Sequence, residues 1–400
     1  MASLYVHIPF CERKCLYCDF YSVANTESVE DFLAALRREI LLRREQFGAA
    51  SYETIFFGGG TPSLLTPSQI EAVLTCLRTT FRIASGAEIT IETNPGTVTK
   101  ESLAAFRFLG VNRLSIGIQS FHDHELGLLG RIHDRAEAFR CLDWSRNAGF
   151  ENVGLDLIYA IPGQTLQQWE ENLRTAVDLA PQHLAAYSLI VEDNTPLARM
   201  VAAGVIHRNP ADREAAMYER TMELLAAHGY EQYEVSNYAL PGFRCRHNCA
   251  YWSHADYLGF GPSAHSFWKS NAPRHGRRWW NVADLSAYTD RLARGLLPIA
   301  SEEQVGSREL VHERILLGLR SGGLDLARLA ADLEYDLRFR QDWTMRWMIE
   351  DGLAVQEGQV LRLTPKGYVL CDEISSRLAR DVSLLISPND RTAPLSPDTA

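Results

Sequence analysis

The sequence contains no continuous apolar run near the ~20 residues that a membrane-spanning helix requires, so at most peripheral membrane contact is expected. It also lacks a basic excess. The 40 Lys and Arg residues against 50 Asp and Glu leave a net charge of −10, and nucleic acid is not an expected partner. Eight cysteines in 400 residues are too few for a disulfide scaffold. Met1 precedes a strand-like segment rather than a basic and apolar signal sequence, so a cytoplasmic protein is expected.

A dinucleotide-binding turn is missing as well, because no G-x-G-x-x-G follows the first strand-like segment. Short apolar segments alternate with stretches of helical periodicity, which predicts parallel strands joined by helices. The predicted strands cover 4–8, 54–57, 89–92, 113–118, 153–159, 183–190 and, less regularly, 232–235. An open doubly wound sheet and a barrel both fit this α/β repeat. Chemically distinctive residues at the strand ends favour an incomplete barrel of the (β/α)6 type.

Three cysteines, Cys11, Cys15 and Cys18, directly follow the first predicted strand. A zinc site normally uses four protein ligands, and no fourth Cys or His follows at zinc-finger spacing. A cubane iron–sulfur cluster held by three thiolates leaves one iron open for a substrate or cofactor. The cysteines therefore predict a [4Fe–4S] cluster.

Other residues suited to ligand binding follow or end later strands. The run Gly58–Thr61 follows the second strand, Glu92 ends the third, Gln119 ends the fourth, and Asp156 lies in the fifth. The glycines fit either a flexible turn or a close approach of backbone to ligand. Glu92 fits a solvated edge and Gln119 a buried hydrogen-bonding group, whereas Asp156 needs a partner because burying a lone carboxylate is costly.

Together these motifs resemble the radical S-adenosylmethionine (SAM) superfamily, and within it the oxygen-independent coproporphyrinogen III oxidase family, which also includes haem chaperones. The similar runs are Tyr5–Phe20, Phe57–Ser63, Ile91–Gly96, Ser115–Phe121, Leu129–Arg131 and Leu155–Tyr159. The resemblance implies that Cys11, Cys15 and Cys18 bind the cluster. It implies that the residues in contact with SAM are Tyr5, Gly59, Gly60, Thr61, Glu92, Gln119, Arg131 and Asp156.

Two features separate the branches of that family. The dehydrogenase pattern continues with a cysteine two residues after the third cluster cysteine, whereas here Phe20 stands there. The run His247–Trp252 matches the H-N-x-x-Y-W pattern of the haem chaperones. Both features favour the chaperone branch.

The same run has a physical interpretation. A neutral imidazole such as that of His247 ligates haem iron, and Tyr251 and Trp252 supply flat apolar surface for a porphyrin. An aromatic loop that merely packs a domain edge is the alternative from the residues alone. The resemblance favours haem contact at His247 and leaves the roles of Tyr251 and Trp252 open.

The predicted domains are a radical SAM partial barrel over 1–240, a connecting segment over 241–304 with the haem motif, a C-terminal α+β winged-helix-like domain over 305–386, and a disordered tail over 387–400. The last of these is rich in Pro, Asp, Ser and Thr.

Two functions follow from the resemblance. The first is a haem chaperone that binds the cluster, SAM and haem and delivers haem to apo-proteins such as respiratory cytochromes, with a homodimer expected. The second is an oxygen-independent coproporphyrinogen III dehydrogenase, a radical SAM enzyme that decarboxylates porphyrinogen propionates. A haem-degrading radical methyltransferase ranks last, because it is not expected to carry H-N-x-x-Y-W. No catalytic residue is assigned.

Overall fold

The computed structural model describes residues 2–24, 26–269, 274–380 and 382. These residues form two compact units. The first runs to Trp268 and includes Arg277–Glu303, and the second comprises Lys269–Gly276 and the described residues from Gln304 onward. The predicted tail over 387–400 lies outside the described residues, and the predicted domain boundaries stay predictions.

A sheet of twelve strands dominates the first unit, in the order β12-β11-β10-β9-β1-β2-β3-β4-β5-β6-β8-β7. Its strands are β1 (Ala2–Ile8), β2 (Ser51–Gly59), β3 (Arg82–Thr93), β4 (Arg113–Gln119), β5 (Val153–Tyr159), β6 (His183–Ser188), β7 (Glu231–Gln232), β8 (Asn237–Ala239), β9 (Asp256–Phe260), β10 (His265–Lys269), β11 (Gly276–Asn281) and β12 (Ile299–Val305). Strands β1 to β6 pair in parallel. The predicted α/β class with six parallel barrel strands is confirmed.

Helices connect these strands. They are α1 (Val29–Leu42), α2 (Arg44–Phe47), α3 (Pro67–Thr80), α4 (Lys100–Phe108), α5 (Asp123–Leu129), α6 (Arg135–Asn147), α7 (Leu166–Asp178), α8 (Pro196–Ala202), α9 (Ala211–Ala227), α10 (Arg246–Trp252) and α11 (Leu285–Ala293). Short 3-10 turns cover Pro62–Leu64 and Pro95–Thr97. The described helices include none that is both long enough and apolar enough to cross a membrane.

Local sequence explains these elements. Strand β1 alternates between its two faces: Leu4, Val6 and Ile8 share one face and are fully buried, whereas Ser3, Tyr5 and His7 share the other. Helix α3 begins with a capping box. The Thr66 side chain accepts from the Gln69 N–H, the Gln69 side chain accepts from the Thr66 N–H, and proline occupies the first helical position.

Several strands end in a left-handed backbone residue at the carboxyl edge of the sheet. Gly59 ends β2 with φ +108°, Gln119 ends β4 with φ +67°, and Ala160 follows β5 with φ +59°. Residues other than glycine rarely adopt this strained conformation. Such strained residues cluster at the functional sites of proteins. The edge that receives the cysteine loop is therefore the edge at which the chain departs from regular geometry.

The sheet continues beyond the six parallel strands. Strand β8 pairs antiparallel with β6 and β7, so the predicted strand 232–235 is in fact a two-residue edge strand followed by a turn. On the other side, β9 pairs in parallel with β1, and β10 pairs antiparallel with β9. Residues that follow the barrel in sequence thus extend its sheet at both ends.

The second unit is an α+β domain. Its helices are α12 (Ser307–Leu319), α13 (Leu326–Leu333), α14 (Leu337–Arg340), α15 (Asp342–Glu350), α16 (Pro365–Val369) and α17 (Cys371–Ala379). A three-stranded antiparallel sheet contains β13 (Leu324–Asp325), β14 (Ala354–Glu357) and β15 (Val360–Leu363). The hairpin between β14 and β15 turns at Gly358, whose φ is +61°. Helices with a small antiparallel sheet are what the predicted C-terminal α+β fold requires.

Candidate functional site

The loop that carries the three cysteines leaves the end of β1 and is closed by its own backbone. The Cys11 N–H donates to the Val23 carbonyl at 3.0 Å, and the Val23 N–H donates to the Pro9 carbonyl at 2.7 Å. The Leu16 N–H donates to the Leu129 carbonyl of α5 at 3.1 Å. All three cysteines of the loop are partly exposed. The backbone thus holds three accessible thiols at the carboxyl edge of the sheet.

Two polar side chains donate hydrogen bonds toward the sulfur atoms. The Thr61 hydroxyl lies 3.5 Å from Cys11 Sγ, and Arg131 Nη1 lies 3.6 Å from Cys15 Sγ. Burial raises the pKa of the Cys18 thiol to about 11, so binding of a metal centre must displace its proton. Among the described residues, no three His, Cys, Asp or Glu side chains converge as ligands of one metal ion would. Three thiols with donors directed at two of them fit the ligand set of an iron–sulfur cluster.

A cavity of 430 Å³, here called the outer cavity, opens beside the cysteine loop. Its lining includes all three cysteines and seven of the eight predicted SAM residues, namely Gly59, Gly60, Thr61, Glu92, Gln119, Arg131 and Asp156. Tyr5, the eighth, lines a second cavity of 220 Å³, here called the inner cavity, which shares Glu92 and Asp156 with the outer one. The outer cavity lies within the usual range of small-molecule sites, about 300–1,000 Å³.

The glycines at the end of β2 allow a close approach of backbone to backbone. A Cβ added to Gly59 would lie 2.7 Å from the ring of His7, and one added to Gly60 would lie 2.6 Å from the Phe10 carbonyl oxygen. The Gly60 N–H also donates to the Ile8 carbonyl at 2.8 Å. Side chains at these positions would separate β2 from the cysteine loop, so the close approach explains the glycines.

Two carboxyl groups lie on the shared wall of the cavities. Glu92 Oε2 accepts from the Gly59 N–H at 3.2 Å, and the two carboxyl oxygens of Asp156 lie 3.1 and 3.2 Å from the Ser115 hydroxyl that donates to them. Burial, together with the charge of Asp156, raises the pKa of Glu92 to about 8. Burial also raises the pKa of Asp156 to about 6, although Arg113 opposes it. A cationic ligand beside these groups would favour their charged forms.

Arg131 and Gln119 approach the outer cavity from neighbouring segments. Arg131 Nη2 donates to the Gly117 carbonyl at 2.7 Å and to the side-chain oxygen of Asn94. The Asn94 side-chain nitrogen in turn donates to the Thr61 hydroxyl at 3.1 Å. Asn94 therefore links two predicted SAM residues, Thr61 after β2 and Arg131 after α5. The left-handed backbone of Gln119 directs the end of β4 to the same cavity.

His247, on α10, lies in the wall of the inner cavity and is only 1% exposed. Its Nδ1 is 2.7 Å from the Thr54 hydroxyl, and its Nε2 is 3.0 Å from the Tyr251 hydroxyl. The ring stacks on Phe56 at a centroid distance of 4.9 Å. Burial lowers the pKa of the imidazole to about 3, so it is neutral. Ligation of haem iron through either nitrogen would require one of the two hydrogen bonds to break.

The other residues of the predicted haem motif differ in placement. Tyr251 lines the inner cavity, whereas Trp252 is partly buried outside the linings of both cavities. At 220 Å³ the inner cavity is below the usual range of ligand sites and would have to widen to admit a porphyrin.

The start of α10 is held by a buried acid from β3. Glu88 accepts the Arg246 N–H and the His247 N–H, both at 3.1 Å, and the Cys245 thiol lies 3.6 Å from it. These contacts satisfy N–H groups that a helix N-terminus leaves without intrahelical partners. They fix the position of the histidine relative to the barrel.

Sequence reasoning missed three residues of the site. Arg113 is 1% exposed and lines the inner cavity, Ser115 donates to Asp156, and Asn94 bridges Arg131 to Thr61. Asn94 and Ser115 lie in the runs Ile91–Gly96 and Ser115–Phe121, whose similarity to the family could have indicated a role in the site. Arg113 offered only the weak signal of a charged residue that opens a buried strand.

Three thiols at the carboxyl edge of a parallel sheet, beside two glycines and a cavity that contains several polar side chains, define a protein of the radical SAM class. The family model described as the radical SAM superfamily matches residues 5–176, and that of the HemN C-terminal domain matches residues 306–370. The solved structure of coproporphyrinogen III oxidase (HemN) from Escherichia coli, a radical SAM enzyme, has a TM-score of 0.80 with 24% identity over 94% of this chain and 90% of that one. The fold is therefore shared.

Sequence identity to curated relatives identifies the family within this class. The heme chaperone HemW of Bacillus subtilis is 36% identical over 94% of this chain and 98% of its own length. The heme chaperone HemW of Mycobacterium tuberculosis is 37% identical over 93% of both chains. This chain belongs to the HemW family.

Proposed function

We propose that this protein is a cytoplasmic haem chaperone. It would bind a [4Fe–4S] cluster, SAM and haem, and it would deliver haem to apo-proteins such as respiratory cytochromes. The observation that carries the proposal is identity of 36–37% to HemW chaperones over nearly the whole chain. Phe20, in the place of the fourth cysteine of the dehydrogenase pattern, supports the same branch.

The cysteine loop would hold the cluster. Cys11, Cys15 and Cys18 would each supply a thiolate, while the Thr61 hydroxyl and the Arg131 guanidinium, which already donate toward two sulfurs, would stabilise their negative charge. When bound, the cluster would supply an open iron for SAM and one-electron chemistry.

The outer cavity would hold SAM. Tyr5, Gly59, Gly60 and Thr61 would hold its methionine and adenine parts, and of these Tyr5 lines the inner cavity. The polar side chains that would contact its ribose and carboxylate are Glu92, Gln119, Arg131 and Asp156.

Haem contact at His247, Tyr251 and Trp252 is the third part of the proposal. His247 is buried as a neutral imidazole, which is the form that ligates iron. The Tyr251 hydroxyl is hydrogen-bonded to Nε2 of His247, so Tyr251 would have to move before Nε2 could ligate haem iron.

An anaerobic haem titration of cluster-reconstituted protein, followed at the Soret band, tests the function. Wild type should bind haem specifically, and His247→Ala should weaken binding about tenfold or more if the imidazole is the ligand. Tyr251→Phe keeps the ring and frees Nε2, so it should strengthen binding by up to about fivefold. His312→Ala, an exposed histidine of α12, is the matched control. Absence of specific haem binding by wild type contradicts the chaperone proposal.

A coproporphyrinogen III dehydrogenase is the second candidate. The convergence of seven predicted SAM residues and three cysteines on one cavity favours it, because a pure carrier has no evident need for that arrangement. Incubation with coproporphyrinogen III, SAM and a reductant distinguishes the two. Release of carbon dioxide with formation of vinyl groups supports the dehydrogenase, and its absence in haem-binding protein supports the chaperone.

Association of the protein is part of the chaperone proposal. A homodimer with at most peripheral membrane contact is expected from the family resemblance. Sedimentation of the cluster-reconstituted protein, with and without haem, measures its oligomeric state.

A further inference from the structure

The mouth of the outer cavity carries two large apolar side chains that the barrel leaves exposed. Phe20 is 64% exposed and Ile190 is 66% exposed, and both line the cavity. Phe20 leaves the cysteine loop, whereas Ile190 follows β6, so the two come from opposite ends of the barrel sequence. Large exposed apolar groups at the entrance of a cavity lined by both polar and apolar side chains indicate a ligand that extends beyond it.

The exposure of Ile190 is not a feature of a loose segment. The neighbouring Leu189 N–H donates to the Tyr159 carbonyl at 2.9 Å, and the Leu189 side chain packs against the buried cluster of Leu129, Ile158 and Ile161. The backbone is therefore anchored on one side while Ile190 faces solvent. The apolar surface is preformed.

A third cavity, of 170 Å³ and here called the side cavity, continues from this rim. Leu189 and Ile190 border both the outer and the side cavity, and Arg208 lies at the side cavity's exposed wall. Asn209 holds the Arg208 segment in place, since its side-chain nitrogen donates to the Ile161 carbonyl at 2.9 Å.

The charge of Arg208 is available to a ligand. Glu214, the acid that lines the same cavity, accepts the Ser188 hydroxyl. Within the part of the chain that the structure describes, Arg208 has no hydrogen bond or ion pair of its own. An apolar rim with an available cation at one end is complementary to a flat apolar molecule that carries a carboxylate arm.

We propose that haem lies across this rim, with one face of the macrocycle against Phe20 and Ile190 and one propionate reaching Arg208 through the side cavity. The inference rests on the proposed haem-binding function and assigns its outer contact surface. Continuity with the outer cavity supports it, because a ligand on the rim would cover the cavity in which SAM is proposed to bind. Phe20 lines both the outer and the inner cavity, so haem on the rim would also border the cavity that contains His247.

Soret titrations of four variants test the apolar and the charged contacts separately. Ile190→Asp should weaken haem binding about tenfold or more, because it places a carboxylate against the macrocycle. Its control is Val205→Asp, since Val205 is 69% exposed and lies outside the linings of the three cavities. Arg208→Glu should weaken binding about threefold to tenfold. Arg294→Glu, at an exposed site after α11, makes the same charge change elsewhere.

Esterified haem identifies the partner of Arg208. Wild type and Arg208→Glu should bind haem dimethyl ester with equal affinity, because both of its propionates are methyl esters and carry no charge. A persistent difference overturns the assignment of a propionate to Arg208. Cluster absorbance and the melting temperature of each variant confirm folding before the titrations are compared.

The outcomes separate this inference from the proposed function. If wild type binds haem, Ile190→Asp binds it equally well and His247→Ala does not bind it, the proposed contact of haem with the rim is wrong. The proposed chaperone function would then still stand. Lack of specific binding by wild type contradicts the chaperone proposal itself. Weakening by both rim variants, with both controls within about twofold of wild type, supports the rim.

Discussion

The raised pKa values of Glu92 and Asp156 would make the proposed binding of SAM a proton-linked event. Burial raises the pKa of both carboxyls, to about 8 for Glu92 and about 6 for Asp156, and the charge of Asp156 raises the pKa of Glu92 further. The sulfonium of SAM is a cation, so its binding should lower both pKa values and release protons. The affinity for SAM should therefore rise as pH increases through the window from about 6 to 8.

Calorimetric SAM titrations in two buffers of different ionisation enthalpy measure this release. Wild type should bind about threefold to tenfold more tightly at pH 8 than at pH 6.5. Glu92→Gln removes one titrating group with little change in volume, and SAM's own amino group titrates alike in both proteins. A smaller pH dependence is thus expected for the variant. Identical pH dependence in the two proteins would show that Glu92 does not titrate on binding.

At the scale of the element, the end of β2 depends on a position that only glycine suits. Gly59 has φ +108° and an added Cβ would meet the His7 ring at 2.7 Å. His7 is buried and hydrogen-bonded to the Tyr21 carbonyl and the Tyr5 hydroxyl, so it has little freedom to yield. Gly59→Ala should cost about 2–4 kcal/mol of unfolding free energy and displace the cysteine loop.

Denaturant unfolding and cluster reconstitution check that expectation together. Gly86→Ala is the matched control, because Gly86 also lies in a strand, β3, and an added Cβ there meets nothing within 4 Å. The control should unfold within about 0.5 kcal/mol of wild type and bind the cluster normally. A Gly59→Ala protein as stable as this control would contradict the steric explanation.

Periodicity and spacing predict the parallel core because each of its elements carries a local signal. Strand β5 runs over the predicted 153–159, and α3 begins at the local signal of a Thr66 cap followed by Pro67. Parallel strands bring their carboxyl ends to one edge, so residues at strand ends also converge as expected. The cysteine loop and the polar lining of the outer cavity follow from these two facts.

The rest of the site depends on long-range pairs that leave no local pattern. Glu88 accepts the His247 N–H across 159 residues of sequence. Arg113 is a buried cation of β4 whose charge acts on Asp156 of β5. Strands β7 and β8 have two and three residues, too few for a period-two pattern to appear. The burial of His247 likewise comes from packing on Phe56, which no spacing rule relates to it.

At the scale of the whole molecule, a twelve-stranded sheet must protect its two edges from pairing with other chains. One edge, β7, has only two residues. The other, β12, is longer, and its exposed residues include Glu302 and Glu303. These acids form ion pairs with Arg277 and Arg278 of the neighbouring strand β11. Charge on an edge strand opposes further strand addition, because an incoming strand would bury it.

Replacement of both acids, Glu302→Val with Glu303→Val, should therefore promote self-association more than it changes stability. Exposed ion pairs contribute only about 0–1 kcal/mol each, so the melting temperature of dilute protein should change little. The apparent molar mass obtained from light scattering should rise with protein concentration for this variant. The control replaces two exposed helical acids, Glu71→Val with Glu219→Val, and makes the same change in charge and apolar character. Equal scattering by both proteins would attribute the effect to surface hydrophobicity, and a rise confined to the β12 variant would attribute it to the edge.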